Sequence, residues 1–342
     1  MSDFLNKLIK QSGNKFASVL DDGLVGSDVD GFVDTGSYAF NALLSGSLYG
    51  GVANNKIIAL GGASSTGKTW FALSIVSDFL RNNKDGVVVY FDSEQAVTSE
   101  MFAGKDIDPN RIAVFPIATI EEFKTQCVGI VDDVLATDES NRKPMMIVLD
   151  SLGNLSTIKE MTDTADGKNV RDMTRAQGVK AAFRVLTIKL GAAKIPLIVT
   201  NHTYQSQGDY IPTQILSGGS GLQYCASTIV MLSKKKDKNA DGDVVGNIIH
   251  CKLFKSRLTK ENKQVDVQLN YDTGLNKYYG LVDIALDAGI FKKVSTRIEL
   301  PDGTTAFEKN INENPTKYFT DEVMKKLEVV VAKEFKYGSH EH

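Results

Sequence analysis

A glycine-rich segment in the first quarter of the chain constrains the fold more than any other feature of the sequence. Residues 62–69 read GASSTGKT and match the pattern G-x-x-x-x-G-K-[ST] in full. A short, mostly apolar run, 56–60, precedes this segment, and a stretch with helical periodicity, 70–80, follows it. Glycines in such a turn let successive backbone N–H groups curl around phosphate oxygens, and the positive end of the helix dipole faces the same point. The segment therefore predicts a strand, a phosphate-binding loop and a helix, in that order.

The side chains of this motif have distinct chemical roles. Lys68 is placed to reach the β- and γ-phosphate oxygens of a nucleotide such as ATP, and the Thr69 hydroxyl is a ligand for Mg²⁺. A chance glycine-rich turn is the alternative, but the strand before it and the helix after it argue against that. The residues predicted to bind the phosphates are Gly62, Ser64, Ser65, Thr66, Gly67, Lys68 and Thr69.

Short apolar runs alternate with helical segments through the central region. The runs 87–91, 145–149 and 195–200 are continuous rather than alternating, which is typical of parallel strands covered on both faces. After about residue 225, runs rich in Thr, Val and Ile surround a polar hairpin tip at 234–242, and they predict antiparallel strands that extend the sheet. The pattern predicts an α/β fold with a mostly parallel twisted sheet over 31–280.

Two flanking regions differ from this core. Residues 1–30 combine apolar side chains at helical spacing with a segment rich in Asp and Gly, which predicts an amphipathic helix on a tether. This helix could pack on its own core or dock on a neighbouring subunit, because an arm of this length reaches that far. Residues 281–342 predict a small helix-rich C-terminal domain, whose last helix starts after Thr320 and ends at a Gly338 cap.

Composition excludes several classes of protein. Lys and Arg number 39 against 42 for Asp and Glu, so the surface cannot be uniformly basic and any nucleic-acid contact must come from local patches. The three cysteines lie far apart and lack metal-ligand spacing, which disfavours a disulfide framework or a zinc module. No stretch approaches the ~20 apolar residues of a membrane span, and the first residues show no basic segment followed by an apolar stretch, so we expect no secretory leader. We expect a cytoplasmic protein without a membrane partner.

Polar side chains follow three of the predicted strands. Asp150 ends one apolar run, where a carboxylate supports the Mg²⁺ shell, and Glu94 and His202 follow two others. Because the carboxyl ends of parallel strands share one rim with the phosphate loop, we expect all three beside the nucleotide. Glu94 is then a candidate general base for the attacking water, although an acid at a strand end is often only a helix cap. His202 is a candidate contact for the γ-phosphate, with an ordinary loop histidine as the alternative.

Several separated segments share their order and spacing with one family. They are 33–37 (VDTGS), 43–46 (LLSG), 91–94 (FDSE), 149–155 (LDSLGNL), 172–176 (DMTRA), 201–204 (NHTY), 218–221 (GGSG) and 255–257 (KSR). Together they resemble the RecA recombinases, and among these the phage UvsX-like branch, over roughly residues 2–293. The resemblance implies that 31–280 is a RecA-like P-loop ATPase core and that 1–30 docks on a neighbouring subunit. It also implies a phage protein that acts in the cytoplasm of the bacterial host.

The activity that this resemblance implies is ATP hydrolysis with Mg²⁺ by a helical homo-polymer on single-stranded DNA, which promotes homologous pairing and strand exchange with double-stranded DNA. Single-strand-binding and mediator proteins are further candidate partners. In such a protein Lys68, Glu94 and His202 act on the phosphates and the attacking water. Asp150 supports the metal, through a water molecule.

The resemblance also implies roles for residues outside these strand ends. Lys255 and Arg257 stand where the family's paired cations reach ATP on the adjacent subunit, and cations supplied in this way neutralise charge on the transferred phosphoryl group. Tyr271 matches a position that stacks on adenine. Met101 falls where a second aromatic residue is usual, which is a departure from the family pattern.

Two long polar segments, about 156–175 and 203–219, follow core strands and are predicted to contact DNA. Loops of this length in a compact domain are usually functional. The second segment contains no Lys or Arg, so we expect backbone N–H groups and wedge-like side chains there, with charge from cations at helical spacing. A solvated helix face is the alternative for those cations. The predicted DNA-binding residues are Arg171, Arg175, Lys180, Arg184, Tyr204, Tyr210, Ile211, Gly218 and Gly219.

Other interpretations remain open at this point. A lysine-rich hairpin tip at 234–238 indicates a solubility feature or, alternatively, a second DNA site. A ring-forming, helicase-type DNA motor on the same core is the nearest rival to a filament, and a non-catalytic nucleotide-gated scaffold is the rival from another class. The N-terminal arm favours a filament, because a head-to-tail interface that does not close gives a helix. A candidate water-activating acid, Glu94, argues against the scaffold.

Overall fold

A large, mostly parallel sheet forms the centre of the protein, as seen in a computed structural model that describes residues 2–103, 107–167, 174–205, 214–239, 241–271 and 273–338. The strands of the protein are β1 Phe32–Val33, β2 Val52–Ala53, β3 Ile57–Gly62, β4 Val87–Asp92, β5 Ile112–Pro116, β6 Met145–Asp150, β7 Leu197–Gln205, β8 Gln214–Leu216, β9 Thr228–Lys238, β10 Val244–Ser256, β11 Gln264–Asn270, β12 Gly274–Leu275, β13 Lys292–Val294, β14 Arg297–Glu299 and β15 Thr305–Ala306. The strand order of the large sheet is β12-β11-β10-β9-β3-β7-β6-β4-β5, with β8 paired to β7, and this confirms the predicted α/β fold.

Helices cover both faces of this sheet. They are α1 Ser2–Ser12, α2 Tyr38–Ser45, α3 Lys68–Asn82, α4 Ser99–Ala103, α5 Ile120–Ala136, α6 Ile158–Ala165, α7 Arg175–Ala193, α8 Ser220–Cys225, α9 Leu281–Asp287, α10 Glu308–Glu313, α11 Pro315–Tyr318 and α12 Asp321–Phe335. Successive side chains of β3 point to opposite faces, so that Ile58 and Leu60 pack with α3 whereas Ile57 and Ala59 pack with α5 and α7.

The register of the parallel strands brings the predicted polar strand ends together. Gly62 of β3 lies opposite His202 of β7, and Asp92 of β4 lies opposite Asp150 of β6. Strands that run in the same direction and start at the same depth also end at the same rim. The phosphate loop after β3 therefore shares one edge of the sheet with the carboxyl ends of β4, β6 and β7.

The antiparallel part of the sheet differs in detail from the sequence prediction. β9 pairs parallel with β3 and antiparallel with β10, which confirms that antiparallel strands extend the sheet. However, β9 continues through Lys238, so the lysines assigned to a hairpin tip belong to the strand itself. Their side chains consequently alternate between the two faces of the β9–β10 ribbon.

The C-terminal elements pack directly on the core. Buried side chains of α9, α10 and α12 belong to the same apolar cluster as those of α2 and α3. The backbone N–H of Leu48 donates to Glu328 on α12 at 2.8 Å. The last helix begins after Thr320, whose hydroxyl accepts from the Val323 N–H, as predicted. Its predicted end was wrong: the helix stops at Phe335 with Lys336 as its cap, since the chain becomes extended there, before Gly338.

The N-terminal region contains the predicted amphipathic helix. Phe4, Leu5 and Leu8 on α1 are exposed to solvent by 65%, 41% and 46%. The segment after α1 is joined to the core, because the Lys56 ammonium donates to the carbonyls of Gly26 and Ser27, both at 2.7 Å. The arm is therefore anchored at its far end, and α1 presents an uncovered apolar face.

Within the parts of the chain that the structure describes, no helix has the length and apolar character needed to cross a membrane.

Candidate functional site

A cavity of about 640 Å³ lies beside the phosphate loop at the rim shared by β3, β4, β6 and β7. It brings together the predicted catalytic residues Lys68, Glu94 and His202, the predicted metal residues Thr69 and Asp150, and both predicted base-contact residues. The lining residues are Ser64, Ser65, Gly67, Lys68, Thr69, Trp70, Glu94, Ala96, Met101, Asp150, His202, Lys234, Asn247, Leu269, Asn270 and Tyr271.

The loop itself is curled around its own lysine. The Lys68 ammonium donates to the carbonyls of Gly62 and Ala63 at 3.0 and 2.9 Å. Burial lowers the pKa of Lys68, and the nearby carboxylates of Glu94 and Asp150 partly offset that effect. The carbonyl oxygens and carboxylates favour the charged form of this ammonium, and a charged ammonium beside the loop attracts phosphate oxygens.

Two predicted loop residues shape the loop rather than line the cavity. The Thr66 side chain is buried and donates to the Ala63 carbonyl at 2.9 Å. Gly62 lies under the loop, where a Cβ atom would come within 2.8 Å of the Thr66 hydroxyl and 2.9 Å of the Leu232 carbonyl. Gly67 precedes α3 with φ +89°, a conformation that favours glycine.

The Asp150 carboxylate is buried and fixed by hydroxyl groups of the neighbouring strands. The Tyr90 hydroxyl donates to Oδ2 at 2.8 Å, and the Thr200 hydroxyl donates to Oδ1. Tyr90 is fully buried, and burial together with the adjacent Asp150 raises its pKa well above the usual value, so that it remains a donor. Each carboxylate oxygen already accepts one hydrogen bond, which suits support of Mg²⁺ through water. With the Thr69 hydroxyl and phosphate oxygens, this donor set fits Mg²⁺, which prefers oxygen ligands and retains water.

Glu94 lies at the centre of a hydrogen-bonded group. Its Oε1 accepts from the Ser151 hydroxyl at 2.5 Å and from the His202 ring Nε2 at 2.8 Å. Burial acts to raise the pKa of Glu94, but the hydrogen bonds from Ser151 and His202 and the charge of Lys68 outweigh it, so the pKa is lowered. An ionised carboxylate near the phosphate loop can accept a proton from water.

A serine pair joins the strand ends that carry Glu94 and Asp150. The Ser93 hydroxyl donates to the Ser151 carbonyl at 2.7 Å and accepts from the Ser151 N–H at 2.9 Å. The preceding Asp92 carboxylate accepts from the Glu94 N–H at 3.0 Å. The turn after β4 is therefore fixed on both sides, which holds the Glu94 side chain toward the cavity.

The lining of the cavity includes the predicted base contacts. Met101 and Tyr271 both line it, and the Tyr271 hydroxyl accepts from the Asn247 side chain at 3.4 Å. Trp70, the single tryptophan of the chain, also lines the cavity and is 39% exposed. Sequence reasoning did not select Trp70, although its position directly after Thr69 was a usable signal.

Lys255 and Arg257 do not line this cavity. The Lys255 ammonium donates to the carbonyls of Gln223 and Tyr224 at 2.7 and 3.1 Å, and Arg257 donates to the Tyr224 carbonyl at 3.3 Å. These carbonyls belong to the last turn of α8, where cations are favourable. The two side chains therefore form one cationic pair on a surface away from the chain's own phosphate loop.

The predicted DNA-binding residues have different surroundings. The Arg175 guanidinium donates to the carbonyls of Leu155 and Gly153 at 3.0 and 2.7 Å, so it connects α7 to the turn after β6. Lys180 and Arg184 are exposed on α7, four residues apart. Tyr204 is exposed on β7, and Gly218 and Gly219 both have positive φ. The other three predicted residues, Arg171, Tyr210 and Ile211, lie outside the described residues.

Comparison with known proteins assigns the fold to one family. The family model described as "RecA N-terminal domain" matches residues 2–276, and the chain belongs to this family. It is 33% identical over 293 residues to the "Recombination and repair protein" of Enterobacteria phage T4, which covers 86% of this chain and 73% of that protein. It is 28% identical over 271 residues to "Protein RecA" of Mycoplasmopsis pulmonis (78% and 74% covered) and 24% identical over 262 residues to "Protein RecA" of an Arthrobacter species (76% and 70%). The resemblance stated from the motifs is confirmed.

Proposed function

We propose that this RecA-family protein is an ATP-dependent DNA recombinase. It forms a helical filament on single-stranded DNA and promotes homologous pairing and strand exchange with double-stranded DNA. The observation that carries this proposal is the single cavity in which Lys68, Thr69, Glu94, Asp150 and His202 meet. The name of the phage T4 relative, "Recombination and repair protein", supports the same activity. The proposed setting is the cytoplasm of a phage-infected bacterium.

Hydrolysis of ATP at this site uses residues with separate tasks. The loop N–H groups and Lys68 bind the phosphates, and Glu94 accepts a proton from the attacking water. Mg²⁺, held by Thr69 and through water by Asp150, would supply further positive charge beside the phosphates. His202 donates to Glu94 from the strand that leads into the second polar segment, so it is placed to connect the phosphate site with that segment.

Assembly completes the site in this proposal. Lys255 and Arg257 lie apart from the chain's own cavity and act on the nucleotide of the adjacent subunit. A cationic pair supplied in this way makes the nucleotide part of the subunit contact, and therefore couples nucleotide binding to assembly. The uncovered apolar face of α1 is the proposed docking element on the neighbouring subunit.

DNA contacts are proposed for the side of the molecule that carries α7, β7 and β8. Lys180 and Arg184 bind phosphates, the exposed Tyr204 and its cross-strand neighbour Ile215 contact bases, and Gly218 and Gly219 bring backbone N–H groups close to the DNA. Single-strand-binding and mediator proteins are proposed as further partners on DNA.

Replacement of Glu94 by Gln tests the catalytic part of the proposal. The amide keeps the size of the side chain but cannot accept the proton, so we expect hydrolysis to fall at least about a hundredfold while ATP-dependent DNA binding remains. DNA-stimulated phosphate release and DNA binding are measured on the same preparation. Unchanged turnover would remove Glu94 from this role.

Electron microscopy with ATP and single-stranded DNA separates the filament from a ring-forming motor. We expect helical filaments of open length. Closed rings without filaments would instead identify a motor on the same core fold.

A further inference from the structure

The strand that carries the lysine-rich segment passes directly beside the phosphate loop. Lys234 and Lys235 follow each other on β9, and their cross-strand partners on β10 are Ile249 and Ile248. Cross-strand partners share a face of the ribbon, and Ile249 is fully buried in the cluster that contains α3. Lys234 therefore faces the phosphate loop, whereas Lys235 points to the other side of the ribbon.

Lys234 makes a direct bond to that loop. Its ammonium donates to the Ser65 carbonyl, and its side chain lines the same cavity as Lys68. Ser65 is a non-glycine residue at φ +59°, a left-handed conformation that costs energy and needs support from its surroundings. The bond from Lys234 supplies such support from a different strand.

Two ammonium groups thus bind neighbouring carbonyls of one loop. Lys68 binds the carbonyls of Gly62 and Ala63 from the helix, and Lys234 binds the carbonyl of Ser65 from β9. A loop that binds phosphate through its N–H groups must keep its carbonyl oxygens turned away from the anion. A cation on the outer carbonyl favours this arrangement and also adds positive charge at the cavity.

We propose that Lys234 is a positioning residue of the nucleotide site, which fixes the phosphate loop from β9 and couples the β9–β10 hairpin to it. The proposal rests on the proposed function, in which this cavity takes ATP. It assigns to Lys234 a role that differs from solubility and from direct DNA contact. If the hairpin contacts DNA, the contacts are made by lysines further along β9, such as Lys236 and Lys238.

The expected effect is a loss of affinity for any nucleotide that uses the loop. Ser65 belongs to the loop that binds all the phosphates, so ATP and ADP should be weakened alike when Lys234 is replaced by Gln. Because Lys234 is exposed, solvent screens the bond, and we expect about fivefold weaker binding of each nucleotide.

The test compares Lys234→Gln with Lys235→Gln, which removes the same charge one residue along the same strand. Dissociation constants for ATP and ADP with Mg²⁺ are measured by calorimetry without DNA, and thermal melting checks that each variant is folded. We expect the loss in Lys234→Gln alone, with recovery in Lys234→Arg because arginine retains a positively charged donor. The salt dependence of single-strand binding is measured on the same proteins.

The outcomes separate this proposal from the proposed function. Equal nucleotide affinities for the two glutamine variants would overturn the role of Lys234, as would a change confined to DNA binding and its salt dependence. If the unaltered protein did not bind ATP, the proposed function would be overturned as well. The calorimetric titration of the unaltered protein shows this before any variant is measured.

Discussion

The Ser151 hydroxyl gives the sharpest test of how the site prepares its general base. Ser151 donates to Glu94 at 2.5 Å, and its own backbone is fixed by Ser93. Replacement of Ser151 by Ala removes one of the two side-chain donors to the carboxylate, whereas the bond from His202 remains. Replacement by Thr keeps a hydroxyl and serves as the matched control.

The size of the effect follows from the exposure of the carboxylate. A hydrogen bond to an ionised group contributes about 1.5–3 kcal/mol when it is buried. The Glu94 side chain is 33% exposed, so solvent screening reduces this to about 1 kcal/mol. If that energy positions the base in the transition state, kcat at neutral pH falls about fivefold in Ser151→Ala.

The pH dependence gives a second readout with a definite sign. The lowered pKa of Glu94 depends in part on the Ser151 donor, so its removal raises that pKa. The carboxylate then becomes protonated at a higher pH, and the acidic limb of the kcat profile moves to higher pH. The other charged or titratable groups facing Glu94, namely Lys68 and His202, are the same in both proteins.

The assay is phosphate release with saturating ATP and single-stranded DNA across a pH series. A kcat profile of Ser151→Ala that overlays the unaltered protein would refute the reasoning. A decrease that Ser151→Thr does not recover would show that the hydroxyl is not the cause.

Three other predictions use separate parts of the structure. Replacement of Tyr90 by Phe leaves one oxygen of the buried Asp150 without its donor, so the free energy of unfolding should fall by about 2 kcal/mol. Chemical denaturation measures this change, and unchanged stability would contradict the prediction. The double replacement Lys180→Gln with Arg184→Gln removes two phosphate contacts, so the slope of log affinity against log salt for single-stranded DNA should decrease in magnitude by about 1.4. An identical slope would show that these two side chains do not contact the DNA. Replacement of Arg257 by Ala should leave ATP binding by the dispersed protein intact but reduce DNA-stimulated hydrolysis about a hundredfold; equal loss of binding in dilute protein would show that Arg257 acts within its own subunit.

The sequence predicted those parts of the fold that depend on local pattern. The continuous apolar runs became β4, β6 and β7, and the glycine-rich segment lies between β3 and α3 as its spacing required. The side chains of Glu94, Asp150 and His202 meet because parallel strands share a rim, a rule that needs no contact information. His202, however, does not follow its strand as predicted, because β7 continues through Gln205.

The sequence did not predict the roles of several residues, because those roles depend on strand register and on the direction in which side chains point. Tyr90 and Thr200 lie within apolar runs, and only the alignment of β4, β6 and β7 shows that both donate to one carboxylate. The sequence pattern placed Lys234 in a hairpin tip together with the neighbouring lysines. Only the observed length of β9, which continues through Lys238, shows that Lys234 faces the phosphate loop. The Gly338 cap was wrong because extended backbone ends α12 earlier than its apolar pattern indicates.

The cavity also offers a direct way to follow nucleotide binding. Trp70 is the only tryptophan in the chain and lines the cavity, so its fluorescence reports on that site alone. Each variant above can therefore be checked for nucleotide binding before its activity is interpreted.

The central claim is that a nucleotide in this cavity drives the pairing of homologous DNA. The measurement that tests it most directly is a strand-exchange assay with single-stranded DNA and either a homologous or a heterologous duplex, each with and without ATP. We expect exchanged product only with the homologous duplex and ATP. Product that forms without ATP, or no product while the same protein hydrolyses ATP and coats the DNA, would contradict it.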